Sequence, residues 1–283
     1  MPIDRAAAET FIWSTARLVD RHHYALLFTG GSPQPVIEAL RGYRNADGGF
    51  GHALEPDLRA PGSQPAATLY ALELLHDARA LDGEPARAAR AWIASIAAPD
   101  GGIPFVVPGF EDYPHSPWWQ PEPGSFLTFG LAAVLHSGRV QDDRWLDRTT
   151  DWCWNAIEAA ERPGGYWLKY ACAFLDAVPD EERARTAIAS LSTRVDPAAL
   201  APTGGAEGEF LRPLDLSPHP GNRSRALLTE AQVEAHLDAV EAGQQDDGGW
   251  MFDWLAWSPA QTTDWRGNVT IRALTWLRDN GRL

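Results

Sequence analysis

The chain has 283 residues, 45% of them hydrophobic and 22% charged, a balance that suits a folded globular protein and excludes a disordered one. Twenty-four Lys plus Arg against thirty-eight Asp plus Glu leave a net charge of -14, which argues against a nucleic-acid partner, since phosphate backbones need a cationic surface. No apolar run is long enough to span a membrane, and Met1-Pro2-Ile3-Asp4-Arg5 opens without the apolar stretch of a signal peptide. The two cysteines, Cys153 and Cys172, cannot build a disulfide framework, so a cytoplasmic protein is expected.

In chain order, Ala6 to Val19 carries the first helical pattern, with His22-His23 at its end, where a cation suits the helix dipole. Gly30-Gly31 marks a plain turn, and Val36, Ile37 and Leu40 form a one-sided apolar stripe. A repeated punctuation follows: glycine pairs at Gly48-Gly49, Gly101-Gly102, Gly164-Gly165, Gly204-Gly205 and Gly248-Gly249. Three pairs are preceded by Asp47, Asp100 and Asp247, and aromatics follow at Phe50, Phe105, Tyr166 and Trp250. Segments before the pairs are amphipathic, as at Trp145, Leu146, Thr149 and Trp152, or at Val233, Leu237 and Val240. Segments after them are apolar nearly all round: Ala66 to Leu75, Phe126 to Leu135, Leu168 to Val178 and Val269 to Leu277.

A helix with one apolar stripe packs on one side, whereas a helix apolar all round is buried on both. The alternation therefore predicts an all-α fold in two concentric layers, a single α/α toroid of about five to six helical hairpins that occupies 1–283 as one domain. The N-terminal helix is expected to close the ring. Glu207 to Arg223, rich in Pro and charge, predicts an irregular repeat, and Ile103 to Val107 is too short a strand-like stretch to alter the class.

Asn45-Ala46-Asp47-Gly48-Gly49-Phe50-Gly51 and Gln244-Gln245-Asp246-Asp247-Gly248-Gly249-Trp250 resemble the prenyltransferase and squalene-cyclase repeat. That repeat builds terpenoid cyclases and the β subunits of protein prenyltransferases, and the whole chain also resembles short stand-alone bacterial proteins carrying it. The resemblance implies a toroid and an apolar, isoprenoid substrate, but not a reaction. The D-x-D-D acid motif of class II terpene cyclases is absent. Asp151-Trp152-Cys153 matches the D-x-C zinc pair of the prenyltransferases only formally, with His219 or His236 as distant partners, and reads better as a buried Cys beside a surface Asp. Asp142-Asp143 with Asp147 is similar to an Asp-rich magnesium motif but also suits a helix N-terminus. No metal or cofactor is therefore assigned.

In a ring, the linkers that follow the glycine pairs meet at one rim. They supply the catalytic candidates Glu55, Asp57 and His115. They also supply the binding candidates Arg59, Trp118, Trp119, Tyr166, Trp167, Tyr170, Trp250, Trp254, Trp257, Asp264 and Trp265. Seven of the thirteen tryptophans lie in these linkers, as a plug for the ring or as the walls of an aromatic pocket. Glu55-Pro56-Asp57-Leu58-Arg59 crowds two acids and a cation: a carboxyl raised in pKa by burial could act as a general acid, or the acids could cap a helix and pair with Arg59. His115 could equally be a loop histidine bonded to backbone.

The leading expectation is a terpenoid-cyclase-like enzyme that holds a small apolar molecule in an aromatic-lined cavity with carboxylate chemistry at the rim. A carbohydrate-active toroid, with Asp215 or Asp264 facing Glu55 or Asp57, and a non-catalytic small-molecule-binding or scaffold protein stay open as alternatives.

Overall fold

The computed structural model describes residues 3–140, 144–195 and 211–283, so Asp142, Asp143, Gly204, Gly205, Glu207 and Glu209 lie outside the described residues. The described residues form twelve α-helices and no strand beyond two isolated bridges. In chain order these are α1 (Arg5–Thr15), α2 (Leu18–Phe28), α3 (Gln34–Leu40), α4 (Pro65–Asp77), α5 (Glu84–Ile96) and α6 (Leu127–Ser137). They continue with α7 (Arg144–Ala159), α8 (Gly165–Ala177), α9 (Glu181–Ser192), α10 (Pro213–Leu216), α11 (Glu230–Ala242) and α12 (Pro259–Asp279). None is long and apolar enough to cross a membrane among the described residues.

The even-numbered helices face one central cavity, which all six of them line, and the odd-numbered helices sit outside. Burial follows the layers. Helix α6 is buried continuously from Leu127 to Leu135, whereas α7 buries one stripe made of Trp145, Leu146, Thr149, Cys153, Trp154 and Ile157. Phe129 of α6 is fully buried between the edges of Trp152 and Trp167, which locks α7 and α8 onto it. Two clusters of buried apolar residues result, one from α2 round to α9 and one from α1, α11 and α12. Helices α1, α2 and α12 pack on one another where the clusters meet.

The Asp-Gly-Gly turns are the joints. In each, the aspartate Oδ1 accepts from the second glycine: Gly49 at 3.0 Å, Gly102 at 3.0 Å and Gly249 at 3.1 Å. The next residue donates its N–H to a buried threonine of the following inner helix: Phe50 to Thr68, Ile103 to Thr128 and Trp250 to Thr270, at 2.9–3.0 Å. The first glycine adopts a left-handed φ (94° at Gly48, 96° at Gly101, 89° at Gly248), and its α-carbon abuts the backbone of the next outer helix. For Gly48 that helix is α5, for Gly101 it is α7, and for Gly248 it is α1. The last turn thus docks on the first helix. Mutual bonds between Gln244 and the Asp4 backbone, at 2.8 and 2.9 Å, close the ring.

Two details depart from expectation. The N-terminal helix is not one element ending near His22: extended Ala16 and Arg17 split it, making α1 the outer and α2 the inner member of a sixth pair. Arg17 causes the break. Its guanidinium is drawn inward to Asp20 at 2.7 Å and to the carbonyls of Ala53 and Leu54 at 3.1 and 2.9 Å. The fourth repeat is irregular as expected, its inner element reduced to the four residues of α10.

Candidate functional site

The cavity holds about 650 Å³ and runs down the inside of the ring. Apolar wall comes from residues such as Leu69, Leu74, Ala133, Val134 and Ile271. Its charged lining includes Glu55, Glu73, Lys169, Asp176 and Arg272. The last four are the only Asp, Glu, Lys or Arg within the four all-round apolar stretches, so each charge that interrupts an inner-helix core segment lies on the cavity wall.

Glu55 enters from the first linker. The turn before it carries two successive non-glycine residues in the left-handed region, His52 at φ 55° and Ala53 at φ 61°, held by the Arg17 bonds to the Ala53 and Leu54 carbonyls. Enclosure by the wall, and then the neighbouring Asp57, push the Glu55 carboxyl up to about 8. Asp57 points elsewhere. It is buried, and its Oδ1 accepts from Trp257 Nε1 at 3.0 Å and Gln261 Nε2 at 2.8 Å. Burial raises its pKa while those donors, with Trp265, pull it back; the Trp265 indole N–H acts from outside hydrogen-bond geometry and has no partner of its own. The pair is therefore asymmetric: burial raises both carboxyls, but side-chain donors favour the charged form of Asp57 alone, while Glu55 faces the lumen.

Deeper in the lumen, Glu73 is surrounded by the ring yet reached by solvent along its side chain. Burial pushes its carboxyl up to about 7 against the pull of Lys169, and water in the lumen moderates that shift. Lys169, the one lysine of the chain, lies over the rings of Tyr166 and Tyr170 at 5.4 and 5.6 Å. Tyr70 links two sides of the wall, donating to Asp20 at 3.2 Å and accepting from Asn268 at 3.0 Å. Near the other end, Asp77 accepts from His23 at 2.8 Å; despite burial, hydrogen bonds from His23 and His76 hold it below the usual carboxylate range.

The three linkers converge, though not as one binding surface. Arg59 N–H donates to Pro114 at 3.0 Å, and the Asp57 carbonyl accepts from Ser116 N–H at 3.0 Å and Trp119 Nε1 at 2.9 Å. Arg59 pairs with Asp264 at 2.6 Å. Of the sequence-derived candidates, Glu55, Tyr170 and Trp265 line the cavity, as does Asp215, one of the two alternative facing acids. His115 does not: its Nδ1 meets the Tyr113 carbonyl at 2.6 Å and its ring packs edge-on against Phe110. Trp119 stacks on Phe105, Tyr166 on Phe126 and Trp167 against Phe129, while Trp250 donates to Val240 inside the core. Trp118, Trp254 and Trp257 also lie behind the lining. Most rim aromatics therefore build the wall instead of facing its contents. Cys153 is fully buried in α7, and His236 accepts from Leu214 N–H at 3.1 Å.

Residues that the linkers do not contain complete the lining: Tyr70, Glu73, Arg272 and Trp276 come from the inner helices. For Glu73 and Arg272, a charge inside an otherwise apolar stretch was the visible signal.

No family model matches the chain, and no curated protein matches it. Solved structures do. A protein from Actinoplanes is 18% identical over 97% of this chain and 89% of its own, with a TM-score of 0.58. The type II terpene cyclase MstE from Scytonema is similar in two forms. A variant in complex with its substrate, geranylgeranyl dihydroxybenzoate, is 15% identical over 98% of this chain and 88% of its own, with a TM-score of 0.53. The same cyclase without ligand gives 15%, 98%, 88% and 0.50.

Proposed function

We propose that this terpene-cyclase-like toroid is an enzyme that encloses an apolar, isoprenoid chain in its lumen and starts the reaction by proton transfer from Glu55. The observation that carries the reading is Glu55 itself: a carboxyl on the cavity wall, 3.3 Å from the Asp57 N–H, whose enclosure raises its pKa. The fold shared with a cyclase whose substrate bears a geranylgeranyl chain supports the same reading. Asp57, tied down by Trp257 and Gln261, is a positioning residue that keeps the shared proton on Glu55.

A pKa near 8 keeps Glu55 loaded with its proton but makes it a weak acid toward an alkene, so the transfer depends on the wall stabilising the cation that forms. The proton adds to one carbon, the Glu55 carboxylate remains, and the cation on the neighbouring carbon is stabilised by the aromatic lining, Trp265 foremost. Loss of a proton from another carbon ends the reaction with no change in mass. Asp264, held by Arg59 outside the lumen, is not free to serve as the facing acid of a glycosidase. Incubation with geranylgeranyl-bearing phenols in D2O tests the proposal: it expects a product isomeric with the substrate that carries one carbon-bound deuterium, absent with E55Q. A product without deuterium would contradict it.

A further inference from the structure

Resting on the reading of the lumen as a site for an apolar chain, we infer that Arg272 is the head-group receptor of that site, and that the substrate class is an apolar chain ending in a carboxylate. Arg272 is the single charge in the stretch Val269 to Leu277 of α12, and it lines the cavity. Its guanidinium lies over the Trp276 ring at 5.0 Å and the Trp254 ring at 5.9 Å. It makes no hydrogen bond or ion pair with any described residue. A cation–π contact of this kind uses none of the guanidinium N–H groups, so its fork of donors is left to a bidentate anion.

Most other charged groups of the lining already have hydrogen-bond or ion-pair partners. His23 donates to Asp77, while His219 and Arg278 both pair with Asp279, at 2.7 and 2.8 Å. Asp176 accepts from Ser224 N–H at 2.8 Å and Oγ at 2.5 Å, and Asp215 accepts from Arg212 N–H at 2.9 Å. Asp253, near enough to feel Arg272, is bonded to Arg212 at 3.0 Å. Burial raises the carboxyls of Glu55 and Glu73 and so disfavours negative charge in the lumen. Arg272 is thus a lining cation with no hydrogen-bonded or ion-paired counter-charge among the described residues, in a space largely walled by apolar groups. A carboxylate supplies one negative charge in the planar geometry that a guanidinium edge matches.

The test uses farnesoic acid and its methyl ester, titrated into the full-length protein at pH 7 with tryptophan fluorescence as the readout. The wild type is expected to bind the acid roughly tenfold tighter than the ester. R272M should weaken the acid to the level of the ester and leave the ester unchanged. R272K, which keeps the charge but loses the fork, should retain part of the preference. Should R272M fail to fold, the comparison of R272K with the wild type carries the same test, and an undiminished preference in R272K would then overturn the inference. Equal binding of acid and ester by the wild type, or a preference that survives in R272M, would also overturn it while leaving the apolar lumen intact. Absence of binding by both ligands would instead remove the lumen reading, and the head-group site with it.

Discussion

Around Asp57, at the linker end of the ring, polar groups are used up against one another, whereas in the lumen Glu73 and Arg272 make no hydrogen bond or ion pair with a described residue. Asp57 gives its carboxylate to Trp257 and Gln261 and its carbonyl to Ser116 and Trp119, while Arg59 takes Asp264. Glu73 and Arg272 stand on the cavity wall with space in front of them. The first arrangement joins three distant linkers and stabilises the fold; the second leaves chemistry unspent. Glu55 sits on the border, bonded to the Asp57 N–H at 3.3 Å and facing the lumen.

The sharpest way to break this division is E55Q. It should lower turnover by about 10²- to 10⁴-fold, the usual worth of a general acid, while the protein melts at or above the wild-type temperature at pH 7. D57A should act mainly on stability. It strands the half-buried Trp257 Nε1 and removes the shorter of the two bonds of Gln261 Nε2, at roughly 1–3 kcal/mol in all, so thermal unfolding should show a fall of several degrees, with a smaller loss of turnover than in E55Q.

pH separates the regions next. The folded-state pKa of Glu55 lies above its unfolded value, so its contribution to stability is full below about 4.5 and is lost as pH rises through about 8. The melting temperature of the wild type should therefore decline between those values and that of E55Q should decline less, while kcat/KM should fall above pH 8 as the acid form disappears. The smallest effect belongs to D264N, which removes a partly exposed ion pair worth about 1 kcal/mol; calorimetry should record a small loss of stability with turnover unchanged.

Much of this could be read from residue order. The all-round apolar stretches became the inner helices, and the Asp-Gly-Gly pairs became the joints, because burial on two faces and a left-handed turn each demand particular residues. The split between α1 and α2 was not legible, since neither Gly nor Pro marks it; a buried side chain, Arg17, makes it through partners more than thirty residues away. Glu55 was legible as a crowded acid. The rim tryptophans misled, because a tryptophan looks the same in sequence whether it faces a cavity or backs its wall. Glu73 and Arg272 had the clearest signal of all, a lone charge where every neighbour is buried, but attention to the linkers passes over it.

The central claim is that Glu55 keeps its proton in neutral water. Carbon-13 NMR of protein labelled at the glutamate carboxyls, with E55Q assigning the resonance, measures this directly. The account predicts a titration midpoint near 8. A midpoint at the ordinary glutamate value of about 4.5 would contradict it.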